Sequence, residues 1–189
     1  NWRWPEPIKT LAADGKTDIH GVMFRPSDFD PDKSYPVLDC TYGWMEPVGS
    51  FTNNGYIGMI GAYLSSMAFA ELGFIVVRFN SRGGIIKGSA GVRSRECSEF
   101  KDTNLPAHNM ADCVAGINQL AKRHPYMDIH RVGVVDGSTI PAALTGTLVY
   151  PELYKVGVSL NPMTPGLFPP LGGVMGSCDV FPAYENFAK

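Results

Sequence analysis

With 189 residues, 44% of them apolar and 18% charged, the chain is long enough to bury one sizeable core, so one domain is expected. A net charge of −2 supplies no polyanion-binding surface, which argues against nucleic acid as a partner. The four cysteines (Cys40, Cys97, Cys113, Cys178) are widely scattered with no metal-ligand spacing, so neither a metal site nor any other cofactor is expected.

In chain order, residues 8–26 read as two strands around an Asp14-Gly15 turn. A polar loop with a proline, 29–35, leads to a strand at 36–42 in which Cys40 acts as small apolar filler. The run GMIGAYLSSMAFAELGFIVV (58–77) is apolar enough to raise the question of a membrane span. Glu71 and Gly73 interrupt it, and Gly73 suits the position just past a helix end. It therefore reads as a buried helix followed by a buried strand, 74–80, of the type covered on both faces of a parallel sheet. Residues 81–106, rich in Gly, Ser and charge, read as a long loop.

A helix is expected over 109–124, with Asn109 as N-cap, Asp112 at N3, and Lys122 and Arg123 at the negative end of the dipole. Met110, Val114, Ile117 and Ala121 share one face, with Leu120 beside them, and Cys113 is again apolar filler. A strand at 131–136 is followed by a turn around Gly137-Ser138 and a helix from Pro141 to about Tyr150, with Pro141 at N1. A further strand covers 155–161, and the Pro/Gly-rich tail 162–189 shows no clear element.

From residue 36 onward strands and helices alternate. Right-handed crossovers then give a mostly parallel sheet with helices on both faces, the α/β class. Ligands in such sheets bind beyond the carboxyl ends of the strands, where Tyr42, Arg82 and Ser138 each follow a strand.

Four segments, in order, carry a family resemblance: AADGKTDIHGVMFRPSDFDPDKSYPVLDCTYG, FAELGFIVVRFNSRGG, MADCVAGINQLAKRHPYMDIHRVGV and DGSTIPAALTGTLVYPELYKVGVSLNP. Together they resemble the catalytic domain of the prolyl oligopeptidase family of serine peptidases, in its dipeptidyl peptidase IV-like branch, over roughly residues 6 to 162. The resemblance implies an α/β-hydrolase fold that is incomplete at its C-terminal side. Residues 1–189 would be the N-terminal part of that domain, with 162–189 an unassigned tail. It also implies a peptidase cleaving peptide substrates through an acyl-enzyme. Ser138 falls on the nucleophile, and the Thr139 N–H and the Tyr42 hydroxyl fall on the two oxyanion donors, a pair whose loss typically costs ~10²–10³ in rate per donor. Arg82-Gly83 falls on a structural turn.

The sequence departs from the family pattern in two places. The family's Gly-x-Ser-x-Gly turn relies on glycines two positions either side of the serine, where strand and helix come close. Here Asp136 and Ile140 occupy those positions, and Tyr42 is followed by Gly43, Trp44, Met45, Glu46 and Pro47 in place of small residues. The triad order in such folds is Ser, acid, His. All four histidines (His20, His108, His124, His130) precede Ser138, so the triad Asp and His are expected outside this chain, on a following segment or a second chain.

Three readings follow. One is a serine peptidase completed by other polypeptide. The second is a catalytically inactive family member serving as a binding or assembly module. The third keeps the scaffold for other acyl chemistry, as in an esterase or acyl transferase. At residue level, Ser138 is either a nucleophile or a helix-capping serine, and Asp136 is either an acid held near it or a turn residue. Tyr42 is otherwise a strand-end tyrosine and Arg82 a loop cation. The histidines read as surface or loop residues, with a cation at His124 favoured by the helix end.

Overall fold

The computed structural model describes residues 3–41, 66–80, 105–136 and 142–159. Among them a six-stranded sheet is the frame: β1 (Glu6–Leu11), β2 (Asp18–Phe24), β3 (Tyr35–Thr41), β4 (Ile75–Asn80), β5 (Met127–Asp136) and β6 (Tyr154–Ser159). The spatial order is β1-β2-β4-β3-β5-β6. β1 and β2 form an antiparallel hairpin, and β2 adds antiparallel to β4. The pairs β4–β3, β3–β5 and β5–β6 are all parallel.

The hairpin turn forms where the sequence places it. Gly15 takes φ 70°, a left-handed conformation that costs glycine nothing. Asp14 fixes the turn from beside it: one carboxylate oxygen accepts from the N–H groups of Lys16 (2.8 Å) and Thr17 (2.9 Å), and the other accepts from the Thr17 hydroxyl.

Helices cover both faces. On one lie α1 (Leu105–Arg123) and α2 (Ala142–Val149), over a core that includes Val37, Val77, Phe79, Val132 and Val134. On the other lies a helical segment, residues 66–71, over Val22, Phe24, Leu38, Cys40 and Val76. The alternation of β3 and β4 residues between the two cores is the period-two pleat of strands buried on both sides. The 66–71 segment ends at Gly73, φ 94°, with Phe74 N–H on the Phe69 carbonyl and Gly73 N–H on the Ala70 carbonyl. That is the Schellman pattern expected of a glycine in this position. The run at 66–77 is thus a helix end followed by a buried strand, but among the described residues the helix buries only Ser66 and Ala70, and Ala68, Glu71 and Leu72 are exposed, so the expectation of a buried helix is corrected. Among the described residues no helix is long and apolar enough to cross a membrane.

Four sequence expectations are corrected. α1 begins at Leu105, not 109, so Asn109 lies inside the helix and is not its N-cap. Pro106 near the start explains the earlier onset, since proline is favoured in a first turn. Asp112 is not at N3 either: it is fully buried and accepts from the Ala13 N–H at 2.9 Å, tying α1 to the end of the hairpin. The buried seam of α1 runs through Met110, Cys113, Ile117 and Leu120, while Val114 and Ala121 are only half-buried. Gly116 permits this rotation, because the Phe79 ring lies where a Cβ at 116 would be, 2.6 Å from its nearest atom. Finally, β5 starts four residues earlier than expected, its first residues Met127 and Asp128 pairing with Tyr35 and Pro36 before the register shifts.

Both buried cysteines behave as fillers, Cys40 in β3 and Cys113 in α1. His20 and His130 are exposed, as expected. His124 directly follows α1, yet it is partly buried, and burial together with nearby Arg123 and Arg25 lowers its pKa from the usual 6.5. The cation expected at that helix end is therefore disfavoured.

Candidate active site

β3, β5 and β6 run parallel and finish side by side. Thr41 of β3 is the register partner of Asp136 of β5, and Asp136 is the register partner of Ser159 of β6. The next residue after Thr41 is Tyr42, and the next two after Asp136 are Gly137 and Ser138. Tyr42, Arg82, Ser138 and Thr139 themselves lie outside the described residues, as do the glycine-replacing Ile140, the expected N1 residue Pro141, and the tail 162–189.

The described edge of the site is polar and buried on the face that carries α2. Asp136, the last residue of β5, has no solvent exposure. Its Oδ2 accepts from the Ala143 N–H at 2.7 Å, and its Oδ1 accepts from the Ser159 hydroxyl at 3.0 Å. One carboxylate thus joins the ends of β5 and β6 to the first turn of α2. The positive end of the helix dipole and the charge-assisted bonds both favour an anion there. The sequence reading of Asp136 as a turn residue is corrected: it is in the sheet, and its side chain takes the role of an N-cap, which bonds the amide at the second or third helical position.

Deeper on the same face, Asp39 of β3 is also fully buried. The Tyr154 hydroxyl, at the start of β6, donates to its Oδ2 at 2.7 Å. Burial pushes the Tyr154 phenol well above its ordinary value of 10, and the Asp39 carboxylate adds to the shift, so the phenol stays a proton donor. Close packing of α2 makes room for this pair: a Cβ at Gly146 would sit 2.9 Å from Met110 and 3.3 Å from the Tyr154 ring. None of Asp39, Tyr154 and Ser159 was singled out by the sequence. The one available signal was an aspartate inside the apolar run PVLDCT, an unusual residue for a strand buried on both faces.

Among the described residues no cluster of His, Cys, Asp and Glu could hold a metal ion. What the arrangement supplies is a rigid shelf. Two neighbouring strands end side by side at one edge, and a buried carboxylate at the end of one of them bonds the helix that follows it.

The strand order, the parallel β3–β6 block and the helices on both faces define the α/β-hydrolase class. Solved structures agree. A putative dipeptidyl aminopeptidase IV from Bacteroides ovatus superposes with a TM-score of 0.65 at 30% identity, covering 82% of this chain and 21% of that one. Among curated proteins, human dipeptidyl peptidase 8 is 26% identical over 165 residues, 87% of this chain and 17% of the relative. A probable dipeptidyl-aminopeptidase B from Uncinocarpus reesii is 30% identical over 126 residues, 67% of this chain and 12% of the relative. No family model matches. The chain is a homologue of dipeptidyl peptidases and is similar to the dipeptidyl peptidase IV-like branch of the prolyl oligopeptidase family, and it spans less than a fifth of the length of these curated relatives.

Proposed function

We propose that this chain carries the nucleophile of a serine peptidase of the dipeptidyl peptidase IV-like type, acting on peptide or related acyl substrates through an acyl-enzyme. Ser138 attacks the carbonyl carbon. The Thr139 N–H and the Tyr42 hydroxyl stabilise the oxyanion that forms. An Asp and a His outside these 189 residues complete the triad, since a serine hydroxyl without a base is barely nucleophilic at neutral pH.

The observation that carries this reading is the pairing of Thr41 with Asp136. It brings the chain into the Tyr42 and Ser138 loops from adjacent, parallel strand ends, the arrangement a nucleophile and its oxyanion donor require. A second point weighs against Ser138 as a mere helix cap. The amide of Ala143 in α2 is already bonded by the Asp136 carboxylate, so the capping acceptor there is Asp136. The inactive-module reading is favoured by one specific feature, the replacement of both turn glycines by Asp136 and Ile140.

Labelling of the full-length protein with a fluorophosphonate probe separates the two. Covalent modification at Ser138, abolished by Ser138→Ala, is the expected result. Folded protein that shows no adduct at Ser138 removes the peptidase reading and leaves the binding or assembly module.

A further inference from the structure

The residue two before the serine is a glycine in the family turn because strand and helix approach closely there. In this chain that position is an aspartate, and its side chain is neither exposed nor idle. It leaves the end of β5 on the α2 side, and its two oxygens reach two different elements, the Ala143 amide of α2 at 2.7 Å and the Ser159 hydroxyl at the end of β6 at 3.0 Å. Residues 137–142, which contain Ser138 and Thr139, are therefore bracketed by a side-chain bond from Asp136 to Ala143. The bond ties the end of β5 to α2, and both of its ends are buried: Asp136, Ala142 and Ala143 are each 1% exposed or less.

We propose that Asp136 is a positioning residue for the Ser138 turn, its carboxylate holding β5, α2 and β6 in the relation that two glycines otherwise permit. This rests on the reading of Ser138 as nucleophile. A glycine turn is tight because nothing intervenes between strand and helix. An aspartate turn is held because a buried acceptor binds an amide that the first helical turn would otherwise leave unpaired. The serine hydroxyl is then placed by a hydrogen-bonded clamp, and its position depends on an acceptor at 136 rather than on an absent side chain.

The two accounts of position 136 make opposite predictions for glycine. If the turn needs only room, Asp136→Gly restores the family residue and speeds reaction at Ser138. If the clamp positions the turn, Asp136→Gly loses it. Asp136→Asn keeps an acceptor for the Ala143 amide and a polar partner for Ser159. The test measures the rate of fluorophosphonate labelling at Ser138 in the full-length protein for wild type, Asp136→Asn, Asp136→Gly and Asp136→Ala, together with hydrogen exchange at the Ala143 amide. The expected result is labelling near the wild-type rate for the Asn variant. The Gly and Ala variants should lose about 10²-fold, the scale of an ångström-sized misplacement of a reacting group, with faster exchange at Ala143 and melting still cooperative. Gly labelling as fast as wild type, or Asn as slow as Gly, overturns the proposal. Should wild type itself fail to label, the peptidase reading falls and the exchange data decide the clamp alone: protection in wild type and Asn but not in Gly supports it, and equal protection in all four overturns it. If the Gly and Ala variants do not fold, Ser159→Ala removes one of the two donors from the carboxylate. Slower labelling or faster Ala143 exchange in that folded variant supports the clamp, and no change in either overturns it.

Discussion

Single residues at the strand ends carry the polar chemistry of this sheet. Asp39 and Tyr154 show how. The strand that holds Asp39 is otherwise apolar, and a carboxylate buried there would be costly without a partner. Tyr154 supplies one from two strands away, at 2.7 Å. Tyr154→Phe keeps the ring and its packing but removes that donor, so we expect a loss of about 1–3 kcal/mol, the cost of withdrawing one partner from a buried polar group. Urea unfolding with an unchanged slope is the measurement; a midpoint equal to that of wild type shows that the bond contributes nothing. Asp136 is the same kind of residue at a more consequential place. From sequence it was visible only as a departure from a glycine pattern, because its partners, Ala143 and Ser159, are seven and 23 positions away. Hydrogen bonds of that separation leave no local periodicity to read.

Elements meet through glycines and through the edges of the sheet. Gly21 of β2 lies opposite Phe79 of β4, and a Cβ there would fall 2.3 Å from the Arg78 carbonyl oxygen and 3.0 Å from Ile8. Backbone cannot swing aside as a side chain can. Gly21→Ala should therefore push β2 from β4 and cost about 1–3 kcal/mol, the range for overpacking, seen as a melting temperature lower by about 2–4 °C for each kcal/mol. Unchanged melting would mean that the hairpin shifts freely on the sheet. The hairpin edge is also covered: the Gln119 side chain of α1 bonds both the N–H and the carbonyl of Leu11, and Arg123 bonds the Lys9 carbonyl. These contacts cap the exposed polar backbone of an edge strand. The type of each described element was legible from its pattern: alternation for the hairpin, continuous apolar runs for β3 and β4, a 3.6-residue period for α1. The errors were in phase and boundary. Val114 and Cys113 sit side by side on the helix, and sequence has no means to say that Phe79 presses at Gly116 and so turns Cys113 inward.

On the scale of the whole molecule, the two edges of the described sheet differ. The β1 edge is bonded by α1 side chains, whereas the β6 side is apolar and open. Val156 and Val158 of β6 are 60% and 43% exposed, and Leu144 and Leu148 of α2 are 52% and 64% exposed. Val156 and Val158 share the face of β6 turned away from α2, because Gly157 between them meets Thr147 and Ala143 of that helix, and an exposed apolar strand face favours self-association. In the 189-residue chain, Val156→Thr combined with Val158→Thr should reduce association measured by light scattering while changing stability by less than about 0.5 kcal/mol, as for exposed positions in general. A destabilisation well beyond that would show that these side chains are covered in solution.

By itself the sequence determined the class of the fold, because alternating strand and helix patterns admit few arrangements, and it pointed to the ancestry through the order of four motifs. It also set an expectation for where chemistry would lie, since residues that follow parallel strands collect at one edge. Only the tertiary structure decided what Asp136 does, how Asp39 is satisfied and which face of α1 is buried. Those outcomes depend on side chains meeting across elements, and such contacts are set by packing and register, which one chain position does not encode alone.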